Sequence, residues 1–319
     1  MSALEPVEFL RAHGRKFPAW GLEESLRYTR GLTREHYENF SVASLLVPKR
    51  LRQDYCNVYA YCRWADDLGD ETGDPNLSLD LLRWWREQLA AMERGEAYHP
   101  VFVSLKETAA RHDLPRQDFE DLVRAFEQDQ SKRNYADYDD LLEYCRYSAN
   151  PVGRLVLRIN GYRDPDLFKL SDAICSALQL ANHWQDVARD WRIGRVYVPE
   201  DVMRAHGTGR DALAADVARG TASPEFRETV RDLTERAHDL FVAGLPLADR
   251  LSGRLSVEIE MFARAGIAVL SKIRSSGFDT ISRRPVVTGA DHAALLVRVL
   301  ARRLTRAPLA ISEAHNAHG

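Results

Sequence analysis

Apolar residues recur three and four positions apart along nearly the whole of this chain of 319 residues, and sustained alternation with a period of two is almost absent. This spacing is typical of amphipathic helices and predicts an all-α fold. One short stretch, residues 195–199, has β-like composition. The predicted helices cover residues 22–30, 35–46, 48–70, 79–92, 100–110, 115–128, 137–147, 164–190, 200–205, 223–243, 247–274 and 291–304.

Helix boundaries follow from residues that start or stop helices. Thr33 is a candidate N-cap for residues 35–46, and Ser223 with Pro224 predicts another helix start. Gly69 and the Gly73-Asp74-Pro75 break predict the end of the helix that starts at Pro48. Residues 206–222 predict a loop with a short helix. Because no repeat or linker divides the chain, we expect a single domain over residues 1–319, with a frayed tail from about residue 307.

The helix that starts at Pro48 ends in three clustered aspartates, Asp66, Asp67 and Asp70. On an α-helix Asp66 and Asp70 share a face, and Tyr59 and Arg63 precede Asp66 on or near the same stripe. Like charges this close cost a helix roughly 0.2–0.5 kcal/mol per pair. The cluster therefore predicts a cation partner. A solvated helix end, or a pair between Arg63 and Asp66 or Asp67 within the helix, is the alternative.

A second polar stripe lies on the long helix predicted over residues 164–190. Its members, Gln179, Asn182, Asp186 and Asp190, follow one another at spacings of three, four and four and share one face. The rest of this helix is largely apolar, so these side chains need polar partners. His183 lies off the stripe, and we expect it to be packed or exposed and not a ligand.

Two such helices facing each other would surround a cavity with oxygen ligands from both sides. Oxygen ligands without His or Cys select Mg²⁺, with Mn²⁺ as the alternative, over zinc. Mg²⁺ completes its coordination with water and substrate phosphate, so the pattern predicts a diphosphate held by metal ions. An EF-hand is excluded because Pro75 stands where that loop needs Gly. A ferritin-like di-metal bundle is excluded because no Glu-x-x-His pair matches the stripes.

Composition and the absence of targeting features indicate the kinds of partner and the cellular compartment to expect. A formal net charge of −3 with 29% charged residues indicates neither a nucleic-acid partner nor a basic membrane patch. The spacing of the four cysteines and their apolar, helical surroundings favour buried free thiols over disulfides or metal ligands. The N-terminus lacks the features of a signal peptide, and no run reaches the roughly 18 apolar residues of a membrane span. We expect a cytoplasmic protein, which leaves room for a peripheral position at the inner face of the membrane.

Four motifs in order resemble the squalene/phytoene synthase family, the head-to-head isoprenoid synthases, and the similarity extends from about His36 to Val287. The motifs are Tyr59-Ala-Tyr-Cys-Arg63-Trp-Ala-Asp66-Asp67-Leu-Gly-Asp70, Tyr144-Cys-Arg-Tyr-Ser-Ala-Asn-Pro-Val-Gly153, Gln179-Leu-Ala-Asn182-His-Trp-Gln-Asp186-Val-Ala-Arg-Asp190 and Arg195-Val-Tyr197-Val-Pro199. The resemblance implies an all-α isoprenoid synthase fold around a central cavity.

The resemblance also implies roles for particular residues. It places Asp66 and Asp70, with neighbouring Asp67, in a first metal-binding set and Asn182, Asp186 and Asp190 in a second. It places Tyr59, Arg63 and Gln179 against diphosphate or prenyl substrate, and Arg189 is a further phosphate donor. It makes Tyr144 and Tyr197 cavity tyrosines near the reacting carbons, although aromatic residues of helical proteins mostly fill cores. Residues 40–48, which include Ser41, resemble a flap over the diphosphate. His36 and Asn39 precede this flap and face the diphosphate.

Departures from the family pattern indicate a branch. Gln185 and Arg189 stand where many relatives carry an arginine and an acidic residue, and Tyr37 stands where condensing relatives often have serine. The chain is most similar to the bacterial hopanoid-pathway branch of hydroxysqualene synthases, HpnC. That similarity implies rearrangement of presqualene diphosphate, with capture of water, to hydroxysqualene. Head-to-head condensation of two prenyl diphosphates to presqualene diphosphate, squalene or phytoene is the alternative.

Cofactor and partner expectations follow from the same resemblance. We expect Mg²⁺ and no NADPH, because Gly207-Thr-Gly209 lacks both the third glycine and the preceding strand of a dinucleotide-binding motif. The expected partner is a prenyl diphosphate substrate. An apolar product suggests transient membrane contact and coupling to other enzymes of the squalene pathway. A catalytically silent helical scaffold is the non-enzymatic alternative, which the two intact carboxylate sets disfavour.

Overall fold

The computed structural model describes residues 4–35 and 47–305, and these residues form helices and connecting loops without a strand. The prediction of an all-α fold is confirmed. The β-like interpretation of residues 195–199 is wrong, because this segment has irregular backbone and its Val196 N–H donates to the Arg133 carbonyl. A single extended stretch does not form a stable sheet without further strands beside it.

The chain contains fifteen α-helices within the described residues and one 3₁₀ turn, Lys49–Leu51. The helices are α1 (Pro6–His13), α2 (Leu22–Glu35), α3 (Arg52–Asp70), α4 (Pro75–Glu93), α5 (Pro100–His112), α6 (Arg116–Asp129), α7 (Tyr138–Ser148), α8 (Asn150–Ile159), α9 (Pro165–Arg192), α10 (Glu200–Ala205), α11 (Arg210–Arg219), α12 (Pro224–Gly244), α13 (Leu247–Arg250), α14 (Gly253–Ser275) and α15 (Gly289–Thr305).

Two helix boundaries near the N-terminus differ from the prediction. Helix α1 is not among the predicted helices, and α2 continues through Thr33. Thr33 is therefore not an N-cap, and its hydroxyl donates to the Thr29 carbonyl one turn earlier (2.8 Å). The helix predicted over residues 35–46 lies almost entirely outside the described residues. In α3, Gly69 is helical and the helix ends one residue later, at Asp70.

A third difference concerns residues 247–274, which form α13 and α14 and not one long helix. The break falls at Leu251 and Ser252, which have extended backbone, and Gly253 follows with a positive φ of 62°. A glycine adopts this left-handed conformation without the steric cost that other residues meet. In contrast, the predicted start at Ser223 is confirmed, since its side chain caps α12.

The chain divides into two compact units. One comprises Met1–Phe168 and Gly194–Pro199, and the other comprises Lys169–Ile193 and Glu200–Gly319. The boundary falls inside α9, after its first residues. No observation decides between one domain and two, so the single domain stays a prediction.

An aromatic cluster forms much of the core of the first unit. The ring of Trp64 on α3 stacks on that of Trp85 on α4, with centroids 5.0 Å apart. His99 lies edge-on to both rings, and burial holds the pKa of its imidazole well below the usual value. Trp64 lies two residues before Asp66, so the packing that buries this indole also fixes the end of α3.

A buried polar network fixes the start of α3. The Asn57 amide donates to the Ser104 carbonyl and to Thr108 on α5, and its oxygen accepts from Thr29 on α2 (2.7 Å). The Asp54 carboxylate accepts from Thr108 and Arg111, each at 2.9 Å. Because unpaired buried polar groups are costly, these bonds select one placement of α3 against α2 and α5.

Close helix contacts and a buried ion network hold the second unit together. A Cβ at Gly266 on α14 would overlap the Phe241 ring of α12, so this approach requires glycine. The Glu260 carboxylate of α14 is fully buried and accepts from Arg264 of α14 and from Arg302 and Arg303 of α15. These charge-assisted bonds connect α15 to α14.

Two predictions about chemistry and topology can be compared with these helices. All four cysteines are free thiols, which confirms the preference for thiols over disulfides. Their predicted burial holds for Cys145, whereas Cys56, Cys62 and Cys175 are half-buried. Within residues 4–35 and 47–305, no helix combines the length and the apolar character needed to cross a membrane.

Candidate functional site

The C-terminal end of α3 carries the first aspartate set with three different exposures. Asp66 is half-buried, Asp70 is exposed, and Asp67 is buried, with 4% of its side chain exposed. The end of α3 is held by its neighbours, because the Gly69 carbonyl accepts from Gln130 (3.0 Å) and from Ser78 (3.1 Å). The carboxylates therefore project from a fixed backbone.

Arg63 pairs with two of these aspartates from one turn earlier on the same helix. Its Nη2 lies 2.9 Å from Asp67 Oδ1, and its Nη1 lies 3.4 Å from Asp66 Oδ2. The predicted pairing within the helix is confirmed. Burial raises the pKa of Asp67 to about 7, although the charge of Arg63 opposes the rise. Burial, followed by the nearby charge of Asp70, raises the pKa of Asp66 to about 6. The cluster holds more negative charge than Arg63 balances.

Asp70 has an arginine partner from a distant part of the sequence. The Arg195 Nη2 donates to Asp70 Oδ1 at 2.7 Å, across 125 positions of the chain. Arg195 also interacts electrostatically with the buried carboxylate of Asp129, at the end of α6. It therefore lies between the first aspartate set and a group of buried tyrosines.

Those tyrosines, Tyr135, Tyr144 and Tyr197, form a cluster in the first unit, with ring centroids 5.6–5.8 Å apart. The Tyr144 hydroxyl donates to Asp129 Oδ2 at 2.8 Å. Burial raises the pKa of Asp129 to about 6, against the opposing charge of Arg195. The structure thus brings together Tyr144 and Tyr197, which the family resemblance selected. It adds Tyr135 and Asp129, which lie outside the four motifs.

Tyr59, the remaining predicted residue of α3, is half-buried. Burial raises the pKa of its phenol to about 12, and the charge of Arg63 opposes the rise. The carboxylates of Glu5, Asp66 and Asp67 contribute in the same direction as burial. Tyr59 is therefore in the electrostatic surroundings of the aspartate set, as its spacing on the helix predicts.

The second aspartate set lies on α9 in the second unit. Gln179, Asp186 and Asp190 are half-buried and Asn182 is exposed. The Gln179 amide lies 3.4 Å from Nε2 of His183. His183 is buried with 6% exposure, which confirms a packed histidine.

Asp186 has a two-point partner from the loop before α15. The Arg284 Nε donates to Asp186 Oδ1, and its Nη2 donates to Oδ2 at 3.0 Å. The buried Gln185 positions this loop, since its amide donates to the Pro285 carbonyl and its oxygen accepts from Arg284 (3.3 Å). Gln185 therefore has a structural task at the place where the sequence departs from many relatives.

Several predicted residues are not brought into either cluster by the described structure. His36, Asn39 and Ser41 lie outside the described residues. Arg189 is exposed on α9. That the two aspartate sets face each other stays a prediction, as do the substrate contacts of Tyr59, Arg63, Gln179 and Arg189.

Arg284 was missed because it follows α14 in a loop, in a run of two arginines that resembles a solvated segment. Asp129 was missed because a carboxylate at a helix end is usually exposed. Asp129 lies in the helix that precedes the second motif, sixteen residues before Cys145. This position is the only sequence signal that could have indicated its role.

The donor chemistry of both sets fits a hard divalent cation, since each offers carboxylate oxygens without sulfur or imidazole ligands. Among the described residues, however, no group of three or more His, Cys, Asp or Glu side chains is arranged as a metal coordination site. Arg63, Arg195 and Arg284 each hold an aspartate that the sequence assigns to a metal.

Comparison with known proteins gives a consistent result. The profile of the family described as squalene/phytoene synthase matches residues 33–291. A hydroxysqualene synthase of Rhodopseudomonas palustris is 36% identical over 70% of this chain and 75% of its own length. A 15-cis-phytoene synthase of a Paracoccus species is 32% identical over 81% of this chain and 85% of its own.

A solved structure gives the same placement. The crystal structure of squalene synthase HpnC from Alicyclobacillus acidocaldarius superposes with a TM-score of 0.75 at 42% identity. The match covers 81% of this chain and 95% of that one. Sequence profile, relatives and fold agree, and the chain belongs to the squalene/phytoene synthase family.

Proposed function

We propose that this protein ionises presqualene diphosphate and that water captures the rearranged cation, giving hydroxysqualene and diphosphate. The observation that carries the proposal is the similarity to a hydroxysqualene synthase at 36% identity and to the HpnC structure at 42%. The departures at Gln185 and Arg189 support the same branch. The coarser activity, that of an isoprenoid synthase, is a property of the family.

The two aspartate sets are the proposed binding groups for Mg²⁺, with Mn²⁺ as the alternative. Asp66, Asp67 and Asp70 would contribute from α3, and Asn182, Asp186 and Asp190 from α9. When bound, the metal ions would act as Lewis acids that stabilise the negative charge developing on the departing diphosphate. Three carboxylates lie within five residues at the end of α3, which supports this role.

Arginines supply the further positive charge that a diphosphate requires. Arg63 lies among the aspartates of α3, and Arg189 is exposed on α9 near Asp186 and Asp190 in sequence. Guanidinium groups bind phosphate oxygens through two parallel N–H donors. We propose that both arginines donate to the diphosphate oxygens, with Gln179 and Tyr59 positioning the adjoining part of the substrate.

The tyrosine cluster is proposed to stabilise the hydrocarbon cation. The faces of Tyr144 and Tyr197 carry the negative side of the aromatic quadrupole, which attracts a cation within about 6 Å. Tyr144 donates to Asp129, so its hydroxyl hydrogen points to the carboxylate and the ring is held in one orientation. In the final step a C–O bond forms between water and the cation, and one proton leaves to solvent.

The alternative is head-to-head condensation of two prenyl diphosphates. The specific observation in its favour is the 15-cis-phytoene synthase relative, which is 32% identical and covers a larger share of this chain, 81%. Condensation to presqualene diphosphate would release one diphosphate, and continuation to squalene or phytoene would use the same aspartates again and release a second. The two functions therefore differ in substrate and product and not in the groups that ionise the substrate.

A product assay separates these functions. Purified protein receives presqualene diphosphate with Mg²⁺ and without NADPH, and in parallel farnesyl or geranylgeranyl diphosphate. We expect hydroxysqualene and one equivalent of diphosphate from presqualene diphosphate. Accumulation of presqualene diphosphate from farnesyl diphosphate, or phytoene from geranylgeranyl diphosphate, would assign a condensing enzyme instead. Absence of turnover with all three substrates would favour the silent scaffold.

A further inference from the structure

Three arginines occupy the carboxylates that the proposed function assigns to metal ions. Arg195 holds Asp70 at 2.7 Å, and Arg284 holds both oxygens of Asp186. Arg63 holds Asp67 at 2.9 Å from within the same helix. The pairs made by Arg195 and Arg284 join positions 125 and 98 residues apart, so they result from folding and not from helix spacing.

An arginine and a divalent cation compete for the same carboxylate. A guanidinium that donates to both oxygens of Asp186 uses the in-plane lone pairs that a metal would use. Its positive charge also repels a cation at the same carboxylate. A metal ion therefore binds Asp70 or Asp186 more weakly while the arginine remains in place.

Diphosphate reverses this competition. A diphosphate carries more negative charge and more acceptor oxygens than one carboxylate, and it accepts the same two parallel N–H donors of a guanidinium. An arginine drawn to diphosphate leaves its aspartate available to the metal. By linkage, the metal then also increases the affinity for diphosphate by the same factor.

We propose that Arg195 and Arg284 are exchangeable counter-ions of Asp70 and Asp186, so that metal ions bind strongly only together with a diphosphate. This inference rests on the proposed function and adds to it a role for two arginines. Gln185 is the positioning residue for Arg284, since its side chain holds both Arg284 and the carbonyl of Pro285. Arg63 differs, because its partner Asp67 is buried and its pair is part of the folded helix.

The sequence provides a matched control. Arg283 is exposed and precedes Arg284 directly, so Arg283→Gln removes the same charge one residue away from the pair with Asp186. Any general effect of net charge on cation binding appears equally in both variants. For Arg195→Gln, the control is Arg86→Gln, which removes an arginine paired with Glu127 at 2.8 Å elsewhere in the first unit.

The test measures Mn²⁺ binding to the full chain by electron paramagnetic resonance of free Mn²⁺, with and without inorganic diphosphate. Protein-free titrations correct for the complex between Mn²⁺ and diphosphate. Without diphosphate, we expect Arg284→Gln and Arg195→Gln to bind Mn²⁺ about 3- to 10-fold more tightly than wild type. Arg283→Gln and Arg86→Gln should stay within about twofold. Diphosphate should increase the Mn²⁺ affinity of wild type more than that of the two exchange variants.

Two results would overturn the inference in different ways. If Mn²⁺ binds but Arg284→Gln equals Arg283→Gln, and diphosphate enhances Mn²⁺ binding equally in all variants, the arginines are not counter-ions and the proposed function stands. If wild type binds no Mn²⁺ even with diphosphate, the proposed metal binding by the aspartates is wrong, and the proposed exchange of arginine for metal is then wrong as well. Circular dichroism of each variant identifies unfolded protein. As a further variant, Arg284→Lys keeps the charge and should have a Mn²⁺ affinity between those of wild type and Arg284→Gln.

Discussion

The aspartates of α3 and those of α9 look alike in sequence but are held differently in the fold. On α3, Arg63 comes from the same helix and pairs with a carboxylate that is almost fully buried. On α9, the partner of Asp186 is Arg284, which comes from a loop 98 residues away, with 46% of its side chain exposed. Asp67 of the first set therefore has its partner on its own helix, whereas Asp186, like Asp70 with Arg195, depends on a contact made only in the folded chain.

This difference separates structural charge from functional charge. A buried aspartate needs a permanent counter-ion, because an unpaired buried charge is very costly. The pair of Arg284 and Asp186 can exchange at smaller cost, because its arginine is 46% exposed and its aspartate 14% exposed. We therefore expect Arg63 to contribute to folding as well as to diphosphate binding, and Arg284 to contribute mainly to ligand binding. Two measurements test this comparison, and a third compares buried carboxylates of the two units.

The largest expected effect is on turnover, and it should be shared by both sets. Asp70→Asn and Asp186→Asn each keep the side-chain shape and remove the charge that would hold a metal ion. We expect diphosphate release to fall by about 100- to 1,000-fold in each variant, as when one group that stabilises developing charge is removed. The measurement is diphosphate release from presqualene diphosphate, with the thermal midpoint of unfolding as the check on folding.

The matched control is Asp80→Asn on α4, whose carboxylate pairs with Arg15 at 2.6 Å and belongs to neither set. Its turnover should equal that of wild type. Retained turnover in Asp70→Asn or Asp186→Asn would contradict the proposal that both sets bind metal ions. A large loss in only one of the two would show which helix carries the chemistry.

A smaller effect, on stability, should distinguish the two arginines. Arg63→Gln leaves the buried Asp67 without its cation, so at about pH 9, above the Asp67 pKa of about 7, we expect the free energy of unfolding to fall by about 2–4 kcal/mol. Arg284→Gln breaks a more exposed pair and should cost less than about 1 kcal/mol. Urea denaturation of both variants measures the difference.

The double variant Arg63→Gln with Asp67→Asn provides the control for this prediction. It removes the stranded charge together with its partner, and it should recover much of the loss caused by Arg63→Gln alone. Equal costs for Arg63→Gln and Arg284→Gln would contradict the distinction between a structural and an exchangeable arginine.

The smallest effect concerns pH and compares one buried carboxylate in each unit. Burial raises the pKa of Asp129 to about 6 and that of Glu258 to about 7, from ordinary values of 3.8 and 4.5. The folded protein therefore keeps protons that the unfolded chain releases, and stability falls as pH rises through these ranges. Asp129→Asn should reduce the fall in the free energy of unfolding between pH 3.8 and about 6. Glu258→Gln should reduce it between pH 4.5 and about 7.

One proton changes the slope by at most about 1.4 kcal/mol per pH unit, which sets the size of this effect. Urea denaturation at a series of pH values gives the slopes. The control is Glu225→Gln, which removes the same charge from an exposed position. If Asp129→Asn and Glu258→Gln change the slopes no more than this control does, neither carboxylate is protonated in the folded protein in these ranges.

The all-helical fold was predictable because helical spacing is a local property of the sequence. The apolar stripe of α3 and the cap at Ser223 need no knowledge of distant residues. The failures are also local in origin. Thr33 has the chemistry of an N-cap, yet α2 continues through it, and the break at Leu251 and Ser252 lies inside a long apolar pattern. In both places packing outweighs the local preference.

The candidate site divides in the same way. Motif spacing placed the two aspartate sets on their helices and selected Tyr144 and Tyr197, which prove to be neighbours. It could not reveal Arg195 beside Asp70, Arg284 on Asp186, or Asp129 beneath Tyr144, because each contact joins residues that are not neighbours on one helix. A sequence motif identifies the groups that hold a ligand, but the counter-ions of those groups depend on tertiary structure.

The ends of α3 and α9 have one more consequence. Each aspartate set lies in the last turns of its helix, where the aligned peptide dipoles place the equivalent of about half a negative charge. At each set, the helix C-terminus adds to the negative charge of the carboxylates and disfavours a bare anion there. Under the proposed function, a diphosphate whose charge is partly cancelled by Mg²⁺ would meet less repulsion at either set, so the backbone itself would favour the metal complex of the substrate over the free anion.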